Sequence, residues 1–318
     1  FANLPVPVDM KLGRQEILID GWRLYGNTIW TMGMQSHDAI RFDHAHDNMA
    51  LSYIYILARE EGRGAAVDPG DMNDAENHVV YFQYKGILGG TFSAIYSYLD
   101  DGCGAGGTCV FGSTDTIHTI GGRQAGQLFG IDYRVEAYYQ GGNAKNDSQA
   151  ANGALGSGGV GAGLLPFNAA ENVERKAYMF GVRVGKTFNN VMFKPGLTLW
   201  YDYLSGTSDE DARDGEFGSF NTLFDTGHKF YGLQDVWLAI GNANNQGTRG
   251  LGLQDVAVKA KLNPMPGWTL KADVHAFLTA ESVNANTRMS GLTPNNIPGA
   301  GPEKNHHYLG HEVDLTLV

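Results

Sequence analysis

Between Tyr178 and Tyr203 the chain reads YMFGVRVGKTFNNVMFKPGLTLWYDY, two alternating runs joined by a tight Asn-Asn turn. Tyr178, Phe180, Val182 and Val184 share one face, and Gly181, Arg183 and Gly185 share the other. After the turn, Leu197, Leu199, Tyr201 and Tyr203 alternate with Thr198, Trp200 and Asp202. A period of two marks a β-hairpin with one apolar and one polar face. The same design recurs at Met49 to Leu57, Phe92 to Tyr98 and Ile131 to Tyr139.

Taken in order, the pattern predicts about twelve strands, beginning with a first strand over residues 8–19. Tight connections are expected near 45–47, 86–90, 124–128, 188–190 and 263–267. Long ones are expected near 20–36, 61–77, 100–114, 141–174, 205–250 and 281–306. Short and long connections take turns along the whole chain. That layout predicts an all-β, antiparallel up-and-down β-barrel that crosses a membrane, with short turns at one rim and extracellular loops at the other. In lipid every backbone polar group must be paired, so the sheet has to close. A soluble sandwich would mix hairpins with cross-sheet connections and has no reason for this asymmetry. Tyr53, Tyr55, Tyr96, Tyr98, Tyr133, Tyr139, Tyr201, Tyr203 and Trp268 lie on the apolar faces, as interfacial aromatic girdles require. Residues 1–318 read as one domain, because the strand pattern resumes unchanged after the Gly-, Ala- and Asn-rich stretch at 141–174.

Composition sharpens this picture. No run of 18 apolar residues is present, so no transmembrane helix is expected. The mean hydropathy is slightly negative, as it is when only every second residue faces lipid. A net charge of −11 argues against nucleic acid as a partner. The chain opens on Phe1 with no leader, so a signal peptide is not observable, and it stops inside a strand-like run, so the true C-terminus is expected to lie further on. The only cysteines, Cys103 and Cys109, lie in one loop with no His or further Cys to complete a zinc set. A local disulfide is favoured over two free thiols.

If the apolar faces meet lipid, the alternate residues line the interior. The register assigns Arg41, Arg134, Arg183, Lys194, Lys259, Lys261 and Lys271 to the inside as bases. It assigns Asp43, Asp132, Glu136, Asp202, Asp255, Asp273, Glu312 and Asp314 as acids. Such charges on the lipid face would cost about 2–4 kcal/mol per Lys or Arg at mid-membrane. Two readings stay open for each: a selectivity lining for an anionic solute, or an acid–base ladder that stabilises a wet interior. The acidic loops around Asp68, Asp71 and Asp74 and around Asp209, Glu210, Asp211 and Asp214 lack EF-hand spacing, so solvated charge is favoured over Ca²⁺. His306 and His307 read as a polar loop. No GxSxG, HExxH, P-loop or CxxCH motif is present, and neither an enzyme nor a cofactor is expected.

The segments KLGRQEIL, SHDAIRF, FGVRVGKTF, KPGLTLWYDYLSG, FDTGHKFYGLQDVW and GHEVDLTL, in this order, resemble the alginate-export family of bacterial outer-membrane porins. HKFYG after YDYLSG is the most specific part. The resemblance implies a large monomeric barrel, set in bilayer and lipopolysaccharide, that passes an anionic polysaccharide or, in divergent members, other anionic or sugar-like solutes. It singles out Arg14, Arg41 and Arg183, although alternation leaves the facing of Arg14 open. The His228, Lys229, Phe230 and Tyr231 segment is expected either to fold inward as a constriction or to pack on the rim. The alternative to a porin is a structural barrel that sheathes or docks a partner protein.

Overall fold

The computed structural model describes residues 7–29, 34–59, 75–101, 115–144, 173–237, 248, 250–283 and 306–318. Twelve strands follow one another in a single antiparallel sheet: β1 (Asp9–Gln15), β2 (His37–His46), β3 (Met49–Arg59), β4 (Ala75–Lys85), β5 (Gly90–Asp101), β6 (Asp115–Leu128), β7 (Ile131–Ala144), β8 (Val173–Thr187), β9 (Gly196–Leu204), β11 (Leu253–Leu262), β12 (Leu270–Val283) and β13 (His306–Leu317). The two-residue β10 (Glu216–Phe217) lies parallel to the start of β8. Each long strand pairs with its neighbours in sequence, and the path runs from β1 to β13 without closing among the described residues.

The pairing sorts side chains as the alternation requires. Tyr178, Phe180, Val182 and Val184 of β8 are exposed on the outer face, while Gly181, Arg183 and Gly185 are buried on the inner one. Leu199, Val258 and Val256 continue the outer wall across β9 and β11, and Val274 and Val313 across β12 and β13. On β8 this apolar band is bounded by Lys176 and Lys186. Ten residues at about 3.3 Å each, tilted about 40°, span about 25 Å, the height of a lipid-facing band.

Several expectations change. The first strand stops at Gln15, and residues 16–29 turn inward, because Ile17, Ile19, Leu24 and Tyr25 are too apolar for an exposed loop and are buried inside the sheet. The turn expected at 124–128 is instead Phe129–Gly130, both at positive φ (51° and 74°), a two-residue hairpin loop whose second position suits glycine. The β8–β9 connection spans 188–195, with Phe193 and Lys194 at positive φ. His306 and His307 open β13 rather than lying in a loop.

The inner face is also not uniformly polar. Ile54, Ile56, Val79 and Ile95 point inward and pack with Ile17, Tyr25, Phe220, Phe230 and Tyr231 into one buried cluster. The last five come from connections at the long-loop rim, whose described stretches 16–29 and 217–237 fold down into the sheet's concavity. Helix α1 (Asp209–Asp214) within the second connection begins with a capping box between Ser208 and Asp211.

Candidate constriction and anion-binding site

Two inward segments interlock. The amide of Gly26 donates to the Phe224 carbonyl (2.9 Å), Phe224 to Leu24 (2.9 Å) and Thr226 to Trp22 (3.0 Å). The strand walls hold them from the sides. The Asn77 amide donates to the Tyr25 hydroxyl at 2.7 Å, and the Tyr25 and Ser97 hydroxyls are 2.6 Å apart. Burial pushes the Tyr25 hydroxyl pKa up to about 12, so it stays a neutral partner. Asp20 accepts from Tyr81 (2.8 Å) and Ser93 (2.7 Å) and lies 3.4 Å from Arg123. Gln140 clamps Asn221 with two hydrogen bonds, at 2.7 and 2.8 Å.

Arg23 is the hub. Its side chain is 1% exposed, and its guanidinium donates to Glu136 (2.9 Å), Asp202 (2.5 Å) and the Tyr231 hydroxyl (2.6 Å). It lies over the Phe230 ring at 3.8 Å. A buried arginine is tolerable only when charge and donors are both matched, and this one is. Glu312 and Asp314 of β13 accept from the backbone amides of Gln234 (2.9 Å) and Leu233 (3.3 Å), which seats the far end of the second segment.

Beside this hub one row of the inner face carries Arg134, Arg183 and Trp200 on β7, β8 and β9. The Arg183 guanidinium is stacked 3.0 Å from the Trp200 ring centroid, with Arg134 at 5.5 Å and the Lys259 amine at 4.6 Å from that centroid. Arg183 stands 3.6 Å from Glu136 and 3.5 Å from Asp202, which Arg23 already engages. Its Nε and Nη1 are buried without a protein hydrogen-bond partner, and so are Glu136 Oε2 and Asp202 Oδ1 on the carboxylates beside it. No carboxylate pairs with Arg134 among the described residues. Lys229, over the Trp22 ring at 3.9 Å, has its pKa lowered by burial and then by the nearby charges of Arg134, Arg123 and Arg23. Arg23, Arg123, Arg134, Arg183 and Lys229 thus face Asp20, Glu136, Asp202 and the buried Asp225. The overall inner balance conceals a small local excess of positive charge in this aromatic-lined part.

The other residues singled out by sequence lie elsewhere. Arg41 pairs with Asp43 at 2.7 Å, and Lys259 with Asp273 at 3.0 Å. His275 lies between Asp255 (2.9 Å) and Lys259 (3.1 Å). These are ladder pairs on the wall. Asp132 accepts from Gln127 (2.9 Å), and Lys261 faces Lys271 across β11 and β12 near the short-turn rim. His228, 2.9 Å from Asp235, and Lys229, Phe230 and Tyr231 all belong to the inward segment, with Phe230 and Tyr231 fully buried.

Two assignments are corrected. Arg14 is on the outer face, opposite Asp38 in the register and 2.6 Å from it, because Lys11 and Gly13 take the inward positions of β1. Lys194 belongs to the β8–β9 turn rather than to the interior, because β9 begins only at Gly196. Cys103, Cys109 and the acidic loop at Asp68, Asp71 and Asp74 lie outside the described residues. Asp211 is engaged in the α1 cap, and no group of three metal-ligating side chains occurs among the described residues. Sequence reasoning missed Arg23 and Arg123. The signal for Arg23 was available, since LIDGWRLYG is too apolar for a solvated loop. For Arg123, the adjacent Gly121 and Gly122 erase the alternation.

The sequence and fold were compared with known proteins. No curated protein matches the sequence. Among solved structures, OccD3 (OpdP) of Pseudomonas aeruginosa superposes with a TM-score of 0.51 at 11% identity, over 98% of this chain and 64% of that one. OccK8 (OprE) of the same organism gives 0.47 at 12% identity, over 85% and 63%. The outer membrane channel DcaP of Acinetobacter baumannii gives 0.44 at 10%, over 97% and 70%. The chain therefore spans less than two thirds of the length of OccD3. The likeness to OccD3 supports the porin-type barrel fold. A family model described as alginate export matches residues 2–318, and the chain belongs to that family, whose place is the bacterial outer membrane.

Proposed function

We propose that the chain forms the wall and constriction of a passive, non-enzymatic outer-membrane channel for anionic, sugar-like solutes. The observation that carries this reading is Arg183. It is a buried guanidinium with two unmatched nitrogens, stacked on Trp200 and flanked by Arg134, which makes no salt bridge among the described residues. A buried donor left unmatched costs about 1–3 kcal/mol, so such a group persists where something else satisfies it. A carboxylate takes Arg N–H groups in a fork, and an aromatic face suits the C–H surface of a sugar ring. Neighbouring wall pairs hold the remaining cations extended at fixed places. Conduction needs attraction that is sufficient for entry but divided over several sites for release. Arg134, Arg183 and Lys229 provide several such sites.

The alternative of a sheath around a partner protein is disfavoured by what occupies the concavity. Residues 16–29 and 217–237 of this chain already pack there. The test is single-channel recording of the full-length protein in a planar bilayer under a salt gradient. The reading expects a reversal potential of anion sign and block by oligouronates. Cation preference, or a folded barrel that does not conduct, would overturn it.

A further inference from the structure

We propose that the short-turn rim carries a binding groove for one phospholipid of the inner leaflet, between the β8–β9 turn and the β11–β12 turn. The groove has a volume of about 690 Å³ and runs along Val191–Lys194 on one side and Asn263–Thr269 on the other. Its apolar lining is unusually open for turn residues, with Met192 75%, Met265 54% and Trp268 46% exposed. Turns that stand in water are polar, and clustered exposed apolar side chains mark an interaction surface.

The lining is built rather than incidental. Phe193 and Lys194 are both held at positive φ (66° and 44°), a conformation that non-glycine side chains avoid and that persists only where its surroundings impose it. What imposes it is a set of backbone hydrogen bonds: Lys194 to Val191 (2.9 Å), Phe188 to Pro195 (2.8 Å) and, across the groove, Asn263 to Phe193 (2.7 Å). The second turn is closed by Trp268 to Met265 (3.1 Å), and the Thr269 hydroxyl donates to the Asn263 side-chain carbonyl (3.0 Å). The two neighbouring turns therefore form one ledge.

Its position and charge select the occupant. Leu197, Leu262 and Leu270, at the strand ends beside these turns, are exposed on the outer, lipid-facing wall, so apolar surface is continuous from wall to groove. Lys186, which bounds the apolar band on β8, lies at the same rim. Lys194 is the only charged residue in the lining and has no carboxylate partner among the described residues. An apolar trough open to acyl chains and ending in a lone ammonium fits a glycerophospholipid, with its phosphate on Lys194 and its chains against Met192, Met265 and Trp268. In an outer-membrane barrel the short turns lie at the periplasmic side, so the lipid comes from the inner leaflet. The inference rests on membrane location and not on the channel reading.

Trp268 is the reporter. Full-length protein in detergent micelles is titrated with phosphatidylglycerol brominated on its acyl chains while tryptophan emission is followed. We expect saturable quenching at one lipid per chain, absent in Trp268→Phe. Lys194→Glu and, separately, Met192→Asp should weaken half-saturation at least about tenfold. Both changes lie in a turn outside the strands, and heat-dependent electrophoretic mobility reports whether the barrel is folded. Quenching that rises without saturation and is unchanged by Lys194→Glu would mean ordinary boundary lipid. Absence of quenching would mean that the groove stands clear of lipid. Either result overturns the proposal and leaves the channel's selectivity, recorded separately, unaffected.

Discussion

Arg23 and Asp202 lie 179 residues apart and meet at 2.5 Å inside the sheet. One belongs to the connection after β1 and the other to β9, so this contact, with that of Arg23 to Glu136 on β7, ties the inward segment to distant strands of the sheet. Removing one partner of a buried pair typically costs about 3–5 kcal/mol, since the other is left charged and desolvated. Here Arg183 stands 3.5 Å from the same carboxylate and can take over part of the load. Arg23→Met should therefore cost near the low end of that range. The cost falls on the inward segments, because the strand ladder does not depend on Arg23. We expect faster hydrogen exchange in residues 17–27 and 223–233 and a higher single-channel conductance, with the barrel's heat-dependent mobility retained. Unchanged exchange in both segments would disprove the role of Arg23 as hub.

Charge position separates three arginines that look alike in sequence. Arg183→Gln and Arg134→Gln each remove an inward cation that is not fully matched by an acid, so each should lower the anion-to-cation permeability ratio several-fold. Arg14→Gln removes an exposed outer-face pair with Asp38, and exposed pairs add little to stability. It should leave reversal potential and fold unaltered. A change in selectivity from Arg14→Gln, with none from Arg183→Gln, would reverse the assignment of faces.

The face of most residues was readable from alternation alone. Tyr178 to Val184 and Leu197 to Tyr203 lie where a period of two puts them, because in lipid a one-residue slip would expose every polar side chain. Alternation fails where a second requirement acts on the same residues. Ile54, Ile56 and Val79 are apolar but inward, because they pack on the inward segments and not on lipid or water. Ile17 and Ile19 continue the strand pattern of β1 in sequence, but in the structure they leave the sheet to join that cluster. The site depends on contacts such as Arg23–Glu136 and Asp20–Arg123, which join loop to strand over long separations. No local pattern encodes them. The composition of the connection after β1 does show, however, that it cannot be solvated.

Gly232 tests the seat of the second inward segment. Its φ is +86°, and a Cβ there would strike the Glu312 carboxylate. That carboxylate accepts the Gln234 amide, so it cannot move away without losing the bond. Gly232→Ala adds left-handed strain of about 1–2 kcal/mol to this clash. We expect residues 230–235 to lift from β13, read as loss of protection at the Gln234 amide, with β12–β13 pairing intact. Gly130→Ala, with positive φ but open space around it, should show the strain without the lifting.

Asp225 gives the inward segments a pH dependence. Burial raises its carboxyl from 3.8 to about 7, against the opposing pull of a hydrogen bond from Thr222 and the charge of Arg23, and the nearby Asp235 adds to the rise. A carboxyl whose folded pKa is raised binds a proton more tightly in the packed state than in the released one. Packing is therefore favoured fully below pH 3.8 and progressively less as pH rises toward about 7, where the contribution is lost. The segments should be tightest in acid, and conductance should increase between pH 4 and pH 8. Asp225→Asn, neutral throughout, should hold the tight, low-conductance state across that window. Conductance that falls with rising pH, or that keeps its slope in Asp225→Asn, would show that another group governs the segment.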